Sequence, residues 1–289
     1  MLQTVFVVLL VFLILINRNY TGFAYLLENN CGSSKYSYRI TGGQDADLMS
    51  APWMAYLHTN PRFICGGSLV NHFLNSFLGF VLTAAHCFKD HNAKIFVRLG
   101  ENDSSQRIDC DNYDCSPAPS EYWVMQKFVH PYYKTAHYYD IALVKLNRIV
   151  IYSESIRPIC VMLNSKWQGY LDSIRYFIIS GWGATNYTDV SEKLQITKIP
   201  QIDRLTCHSW YGYVVDRTHI CAGESKHYVG KGDSGGPLGS MVNYGYDRRF
   251  YQFGIVSHLR KPFQGVSVFT NILSYSNWIY QTIVVNTSN

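Results

Sequence analysis

Long uninterrupted apolar segments are scarce in this 289-residue sequence. The apolar run from Val5 to Ile16 is too short to span a bilayer, but it has the length of a signal-peptide core. Gly22 and Ala24 supply the small residues that signal peptidase favours. We therefore expect residues 1–24 to be a signal peptide. No Lys or Arg precedes the run, so an uncleaved anchor is the alternative.

Dense basic clusters are also missing. The 25 Lys and Arg residues are scattered, and the formal net charge is only +5. A run of basic residues would indicate nucleic-acid binding, so we expect no nucleic-acid partner and no membrane partner after signal removal. The histidines lack the spacing of a zinc site. We expect no metal and no cofactor.

Long amphipathic helices are absent from the middle of the sequence, which instead contains short β-branched and aromatic runs separated by turns. This density of short runs predicts an all-β barrel or sandwich. A helical spacing of apolar residues predicts one helix near residues 272–285. The clearest runs are Trp53–Leu57, Ile64–Val70, Phe80–Thr83, Lys94–Leu99, Ile141–Leu146, Tyr176–Ser180 and Tyr251–Ser257.

Features typical of an exported protein are present. The sequence has eight cysteines, which in an exported chain imply four disulfides, although spacing alone allows 105 connectivities. Three sequons begin at Asn102, Asn186 and Asn286, each in a polar stretch where glycosylation is expected. We expect a secreted, extracellular protein.

The segment Gly232–Pro237 contains one hydroxyl, Ser234, within a sharp glycine-rich turn. Such a turn can direct a nucleophile and several backbone N–H groups to one point, as acyl transfer requires. Upstream lie His86 and then Asp140, which opens an apolar run. Each feature alone has an ordinary interpretation: a surface turn, a structural histidine and a strand cap. Their order of His, Asp and Ser is more specific, because other hydrolase classes order these groups differently.

On these motifs the chain resembles the chymotrypsin/trypsin-like serine endopeptidases, in an arthropod-type secreted form without an appended clip-type domain. The resemblance implies an all-β fold of two six-stranded antiparallel β-barrels, with the catalytic cleft between them and a C-terminal helix. We expect barrel one at about 40–155 and barrel two at about 156–275. The resemblance also implies that the protein is a monomer and acts on protein substrates.

The resemblance assigns a role to each motif residue. Ser234 corresponds to the nucleophile, His86 to its general base and Asp140 to the group that orients the imidazole. The backbone N–H groups of Gly232 and Ser234 correspond to the oxyanion hole. Ser257 matches the family residue that supports the buried Asp.

A second set of residues resembles a zymogen activation site. Residues 25–39 correspond to a propeptide, and cleavage at Arg39-Ile40 would begin a peptidase domain of residues 40–289. The new Ile40 ammonium group would pair with Asp233. The alternative is that Arg39-Ile40 is an ordinary loop dipeptide. The expected partners are an upstream trypsin-like activating protease and a protein inhibitor.

The resemblance also implies a disulfide pairing that uses every sulfur. The implied pairs are Cys31 with Cys160, Cys65 with Cys87, Cys110 with Cys115, and Cys207 with Cys221. The last bridge of the family, beside the specificity pocket, is missing on both sides: Gly230 stands at one position, and no cysteine follows residue 221.

The specificity pocket departs from the trypsin pattern. The resemblance places Tyr228, Ser257, Leu259 and Ser267 at substrate-binding positions. Tyr228 stands where trypsin-like members have an Asp, so a basic substrate side chain would lack its counter-charge. We therefore do not expect trypsin-like specificity. The alternative function is a catalytically weak or silent homologue that acts as a regulatory binding protein.

The sequence does not decide the role of two loops. Residues 71–79 form an apolar insertion, which is either a contact surface or an error in the gene model. Glu101 and Asp103 lie in the loop where some relatives bind calcium.

Overall fold

The computed structural model describes residues 31–34, 44–60, 62–70, 78–88, 94–184, 188, 190–224, 229–244, 247–259 and 265–287. Short strands dominate this part of the chain, as the many β-branched and aromatic runs predict. All seven of the runs singled out above overlap a strand. No helix in these ranges has both the length and the apolar character needed to cross a membrane.

Six strands close barrel one, and every neighbouring pair is antiparallel. In chain order they are β2 (Met54–His58), β3 (Phe63–Val70), β4 (Leu78–Thr83), β5 (Phe96–Leu99), β6 (Ser120–Val129) and β7 (Ala142–Ile149). Around the barrel their order is β2-β3-β4-β7-β6-β5, which returns to β2.

Barrel two is also built from six strands. They are β9 (Tyr176–Gly181), β10 (Gln195–Ile202), β11 (His219–Ala222), β12 (Pro237–Tyr244), β13 (Asp247–Leu259) and β14 (Ser267–Asn271). Their order around the barrel is β9-β10-β11-β14-β13-β12, again all antiparallel, and the barrel is closed because β9 pairs with both β10 and β12. The expected fold of two six-stranded antiparallel β-barrels is confirmed.

Two very short strands attach to barrel two from outside. The strand β1 (Gln44–Asp45) pairs with β10, and β8 (Cys160–Val161) pairs in parallel with β13. The first described strand, β1, therefore lies on the sheet of barrel two, although it precedes barrel one in the sequence.

The C-terminal helix is confirmed. A 3-10 turn at Ile272–Tyr275 leads directly into α3 (Ser276–Thr287). Ile279 and Ile283 of α3 are buried in the core cluster that fills barrel one, so this helix ties the end of the chain back to the first barrel. Two short helices that the sequence analysis did not predict are α1 (Gln168–Ser173) and α2 (Arg204–Tyr211).

Aromatic and polar contacts join the two barrels. Trp53 stacks on Phe250, with ring centroids 4.8 Å apart. The buried Ser68 hydroxyl of β3 donates to Gln252 Oε1 of β13 at 2.7 Å. The eight cysteines form four disulfides, in the pairing that the resemblance implies: Cys31–Cys160, Cys65–Cys87, Cys110–Cys115 and Cys207–Cys221.

Candidate active site

His86 lies on the 3-10 turn Ala85–Phe88, which directly follows β4. The other residues of this turn are buried, and the Cys65–Cys87 disulfide fastens the turn to β3. The His86 side chain keeps 17% of its surface exposed. Anchoring the neighbours while leaving the imidazole partly exposed directs His86 toward the cleft.

Asp140 stands just before β7 and is 1% exposed. Its Oδ2 accepts a hydrogen bond from His86 Nδ1 at 2.8 Å, and its Oδ1 accepts one from the His86 backbone N–H at 2.9 Å. Ser257 Oγ donates to the same Oδ2 at 2.5 Å. A buried carboxylate is costly unless it is hydrogen-bonded, and these three donors supply the compensation. The bidentate contact also fixes the position of the histidine.

The backbone around Asp140 is held from both barrels. Tyr139, the preceding residue, adopts a left-handed conformation with φ of 58°, which non-glycine residues seldom adopt. Thr270 Oγ1 of β14 donates to the Asp140 carbonyl at 2.9 Å. Residues of barrel two therefore fix an acid that the chain attaches to barrel one.

Ser234 lies on a tight turn immediately before β12. Its carbonyl accepts from the Gly66 N–H of β3 at 2.8 Å, so barrel one also holds this turn. Gly235 follows with φ of +79°, and a Cβ atom there would collide with the Thr83 hydroxyl and the Gly66 carbonyl. This close approach explains the glycine after Ser234.

Gly232 adopts φ of +107°, a conformation that side-chain-bearing residues avoid. Among the described residues, the N–H groups of Gly232 and Ser234 donate to no acceptor. Two unpaired amides beside a serine hydroxyl are suited to an oxyanion.

Asp233 as a whole is partly exposed, but its carboxyl group is packed against Gly181 and Gly183, and this burial raises its pKa from 3.8 to about 6. Its carboxylate accepts from Gly183 N–H at 2.8 Å and from Gly230 N–H at 2.7 Å. A Cβ atom at Gly181 or Gly183 would collide with this carboxyl group. The expected partner Ile40 and the expected cleavage residue Arg39 lie outside the described residues.

His86 and Ser234 line one cleft, whose volume is about 330 Å³. No hydrogen bond joins their side chains in the described part of the chain, and such contacts are often long before substrate binds. Arg62 and Lys231 line the same cleft. Cys65, Cys87 and His86 form the one group of three metal-ligating side chains found among the described residues. The two sulfurs are bonded to each other, so this group is not a metal site.

The predicted specificity-pocket residues are only partly described. Ser267 is buried on β14, and its hydroxyl has no hydrogen-bond partner within the described ranges. Leu259 pairs with Ser267 in the sheet register, but its side chain lies outside the described residues, as does the whole of Tyr228. The Gly230 backbone packs so closely on Ala184 that a side chain there would collide with it, which fits the lack of a cysteine at this position.

Of the remaining predicted positions, Asn102, Asn286, Glu101 and Asp103 do not line the cleft. Asn102 and Asn286 are half-buried, and Asn286 Nδ2 donates to the Thr282 carbonyl at 2.7 Å. Asn186 is outside the described residues, as are residues 71–77 of the insertion. Glu101 pairs with Arg98 at 3.3 Å, and Asp103 Oδ1 accepts from the Ser105 hydroxyl at 2.6 Å.

Sequence reasoning missed a group of aromatic side chains beside Asp140. The Tyr213 hydroxyl lies 2.6 Å from His258 Nε2, and the ring of His137 stacks on Tyr213 at 4.4 Å. His258 directly follows Ser257, so its position in the chain was a usable signal. No sequence signal connects His137 and Tyr213, which come from different loops.

Comparison with known proteins identifies the family. The family model described as Trypsin matches residues 40–279. Because this is most of the chain, the protein belongs to the trypsin family of serine proteases.

Individual relatives come from arthropods. The chain is 31% identical to "Serine protease grass" of Drosophila melanogaster, over 89% of this chain and 71% of that protein. It is 33% identical to "Phenoloxidase-activating factor 3" of Holotrichia diomphalia, over 89% and 76%. It is 34% identical to "Clotting factor G beta subunit" of Tachypleus tridentatus, over 88% and 82%. The crystal structure of the Drosophila Grass clip serine protease of the Toll pathway superposes with a TM-score of 0.79 at 30% identity, covering 91% of this chain and 77% of that one.

Proposed function

We propose that this protein is a secreted serine endopeptidase, made as a zymogen, which cleaves extracellular proteins through an acyl-enzyme on Ser234. The observation that carries the proposal is the environment of Asp140. This buried carboxylate accepts from both His86 nitrogens that face it, and the imidazole shares a cleft with Ser234. Membership of the trypsin family supports serine endopeptidase activity in general.

Each residue has a definite task in the proposed reaction. A serine hydroxyl is too weak an acid to attack an amide unaided, so His86 takes its proton as the Ser234 oxygen bonds to the substrate carbonyl carbon. The N–H groups of Gly232 and Ser234 hold the oxyanion. His86 then protonates the leaving amine, and water, deprotonated by His86, releases the acyl group. Asp140 keeps Nδ1 protonated and stabilises the imidazolium.

Activation is proposed at Arg39-Ile40. The support is the Asp233 carboxylate, whose pKa burial raises to about 6 although two backbone N–H groups donate to it. A new Ile40 ammonium group would supply that partner and order the neighbouring Gly232 amide. The names of two relatives refer to the activation of phenoloxidase and to clotting. We extend this to an upstream trypsin-like activator and a protein substrate here.

Specificity is proposed to differ from that of trypsin because Tyr228 replaces the pocket acid. Secretion is supported by four disulfides, which form and persist in oxidising compartments.

Active-site labelling tests the proposal. The protein is treated with a trypsin-like protease and then with a fluorophosphonate probe, and covalent labelling is measured beside a Ser234→Ala control. We expect labelling of the processed parent only. Cleavage at Arg39 without labelling would contradict the proposed catalysis and favour the regulatory binding protein, whose serine is not activated.

A further inference from the structure

His258, the residue after Ser257, brings a second imidazole close to the Ser257 hydroxyl that donates to Asp140. The register of β13 against β14 shifts between Val256 and His258, so Ser257 forms a bulge there. The bulge lets consecutive residues contact each other near the acid: Ser257 Oγ lies 3.3 Å from His258 Nδ1 and 2.5 Å from Asp140 Oδ2.

The outer end of this arrangement is Tyr213, from the loop after α2. Its hydroxyl lies 2.6 Å from His258 Nε2, and it has no other hydrogen-bond partner among the described residues. If His258 Nε2 carried the proton, the Tyr213 O–H would lack an acceptor. Burial raises the pKa of Tyr213, which marks its hydroxyl as largely shielded from water, and leaving such a proton unsatisfied is costly. The Tyr213 proton therefore points to Nε2.

The direction of the other bonds follows from this one. His258 is neutral, because burial and then the neighbouring His137 lower its pKa to about 4. Asp140 opposes this shift, while His219 and His86 add to it. A neutral imidazole with an accepting Nε2 carries its proton on Nδ1, where it faces the Ser257 oxygen. The Ser257 proton has two acceptors, Asp140 Oδ2 at 2.5 Å and the Ala136 carbonyl at 2.9 Å. The nearer and charged carboxylate is the stronger acceptor.

We infer that Tyr213, His258 and Ser257 form a relay of hydrogen bonds that all donate toward Asp140, and that Tyr213 and His258 are positioning residues for the proposed reaction. The relay holds His258 in the tautomer that donates to Ser257. Without it, the Nδ1 lone pair of His258 would compete with Asp140 for the Ser257 proton. The inference rests on the proposed function for its effect on catalysis, but the relay itself is a property of the folded chain.

Two variants remove the relay at different points. Tyr213→Phe deletes one oxygen, and His258→Phe deletes both ring nitrogens. Tyr138→Phe is the matched control, because the Tyr138 hydroxyl donates to the Val214 carbonyl and not to His258.

In the processed protein we expect both relay variants to lower kcat about two- to tenfold, as expected for losing one ordinary hydrogen bond. We expect KM to be nearly unchanged. The acid limb of the kcat/KM pH profile moves to higher pH, since the Asp140 charge is then shared with fewer donors.

A second readout does not need turnover. The proton shared by His86 Nδ1 and Asp140 is followed by NMR, and it should move downfield in both relay variants but not in Tyr138→Phe. The inference is overturned if this resonance and the pH profile of Tyr213→Phe match those of the control, or if only KM changes, which would indicate a substrate contact. Should His258→Phe fail to fold, Tyr213→Phe decides alone. If the processed parent neither cleaves peptides nor reacts with the fluorophosphonate probe, the proposed function is contradicted. The resonance of the proton shared by His86 and Asp140 would still test the relay.

Discussion

At the scale of single residues, Asp140 and Asp233 are two buried carboxylates in different electrostatic situations. Asp140 receives three hydrogen bonds, one of them from an imidazole that can become cationic. Asp233 receives two backbone N–H bonds, and burial still raises its pKa to about 6. The difference makes Asp233 a measurable reporter of the proposed activation.

Stability before cleavage should depend on the protonation of Asp233. Its folded-state pKa of about 6 exceeds the ordinary 3.8, so the folded chain holds this proton more tightly than the unfolded chain. The contribution of Asp233 to the free energy of unfolding should therefore be greater below pH 4 than above pH 6. The contribution of Asp233 falls across this window by about 3 kcal/mol, since each pKa unit is worth about 1.4 kcal/mol.

Urea unfolding across this pH range, on an uncleavable Arg39→Gln background, measures the effect. Other carboxyl groups add their own pH dependence, so the informative quantity is the difference from Arg39→Gln/Asp233→Asn. Equal pH slopes for the two proteins would contradict the assignment.

Charge at the cleft should influence which substrates are cleaved. Arg62 and Lys231 are exposed and line the cleft beside Ser234, and none of the described residues that line it is acidic. We expect a preference for acidic substrate side chains at the position that enters this cleft. Lys231→Glu should lower kcat/KM for such peptides about two- to fivefold, a typical size for an exposed charge pair.

A peptide library that varies acidic and basic side chains would measure this preference. Lys166→Glu makes the same charge change on an exposed lysine that does not line the cleft. A similar loss in both variants would indicate a general charge effect and contradict a local contact.

At the scale of secondary-structure elements, a fully buried side-chain hydrogen bond joins β3 to β13 across the barrel interface. Ser68 and Gln252 are each 0% exposed, and they bond to each other at 2.7 Å. Gln252 also donates to the Gly254 carbonyl at 3.0 Å. Both side chains are thus satisfied without water.

Removing one partner should destabilise the protein. Ser68→Ala leaves Gln252 Oε1 buried without its donor, so the free energy of unfolding should fall by about 1–3 kcal/mol. Adding Gln252→Leu should recover part of the loss, because both polar groups are then gone. Chemical denaturation of the parent, the two single variants and the double variant measures the coupling. Additive losses would show that the bond contributes nothing of its own.

At the scale of the whole molecule, each barrel contributes one half of the site, and neither half is complete alone. His86 and Asp140 come from barrel one, whereas Ser234, Ser257 and Thr270 come from barrel two. The α3 helix follows barrel two in the chain and packs on the core of barrel one, whereas β1 precedes barrel one and pairs with barrel two. Under the proposed activation, cleavage of the Arg39-Ile40 bond would control such a site through Asp233, which lies in the same turn as Ser234.

Cleavage dependence is the prediction at this scale. Arg39→Gln should stay inactive after exposure to a trypsin-like activator, because the Ile40 ammonium group is never formed. Fluorophosphonate labelling and peptide hydrolysis measure activity, and N-terminal sequencing identifies the cleaved bond. Full activity of the treated variant would refute activation at this bond.

Much of this could be predicted from the sequence. The density of short apolar runs identified an all-β fold, and helical spacing identified the C-terminal helix, because both depend on local periodicity. The order of His86, Asp140 and Ser234 led to the family, which the comparison with known proteins then confirmed. The roles of these three residues remain predictions. The short helices α1 and α2 were missed, since six to eight residues contain too little periodicity to stand out.

By itself, the sequence determined the fold class, the family and the sharp glycine-rich turn that contains Ser234. These follow from the local pattern of residues and from the backbone freedom of glycine. Only the tertiary structure decided that Tyr213 reaches His258, and that Thr270 of barrel two donates to the Asp140 carbonyl. The physical reason is that such contacts join segments far apart in the chain. Their distances are set by how the two barrels pack, and no local preference records that packing.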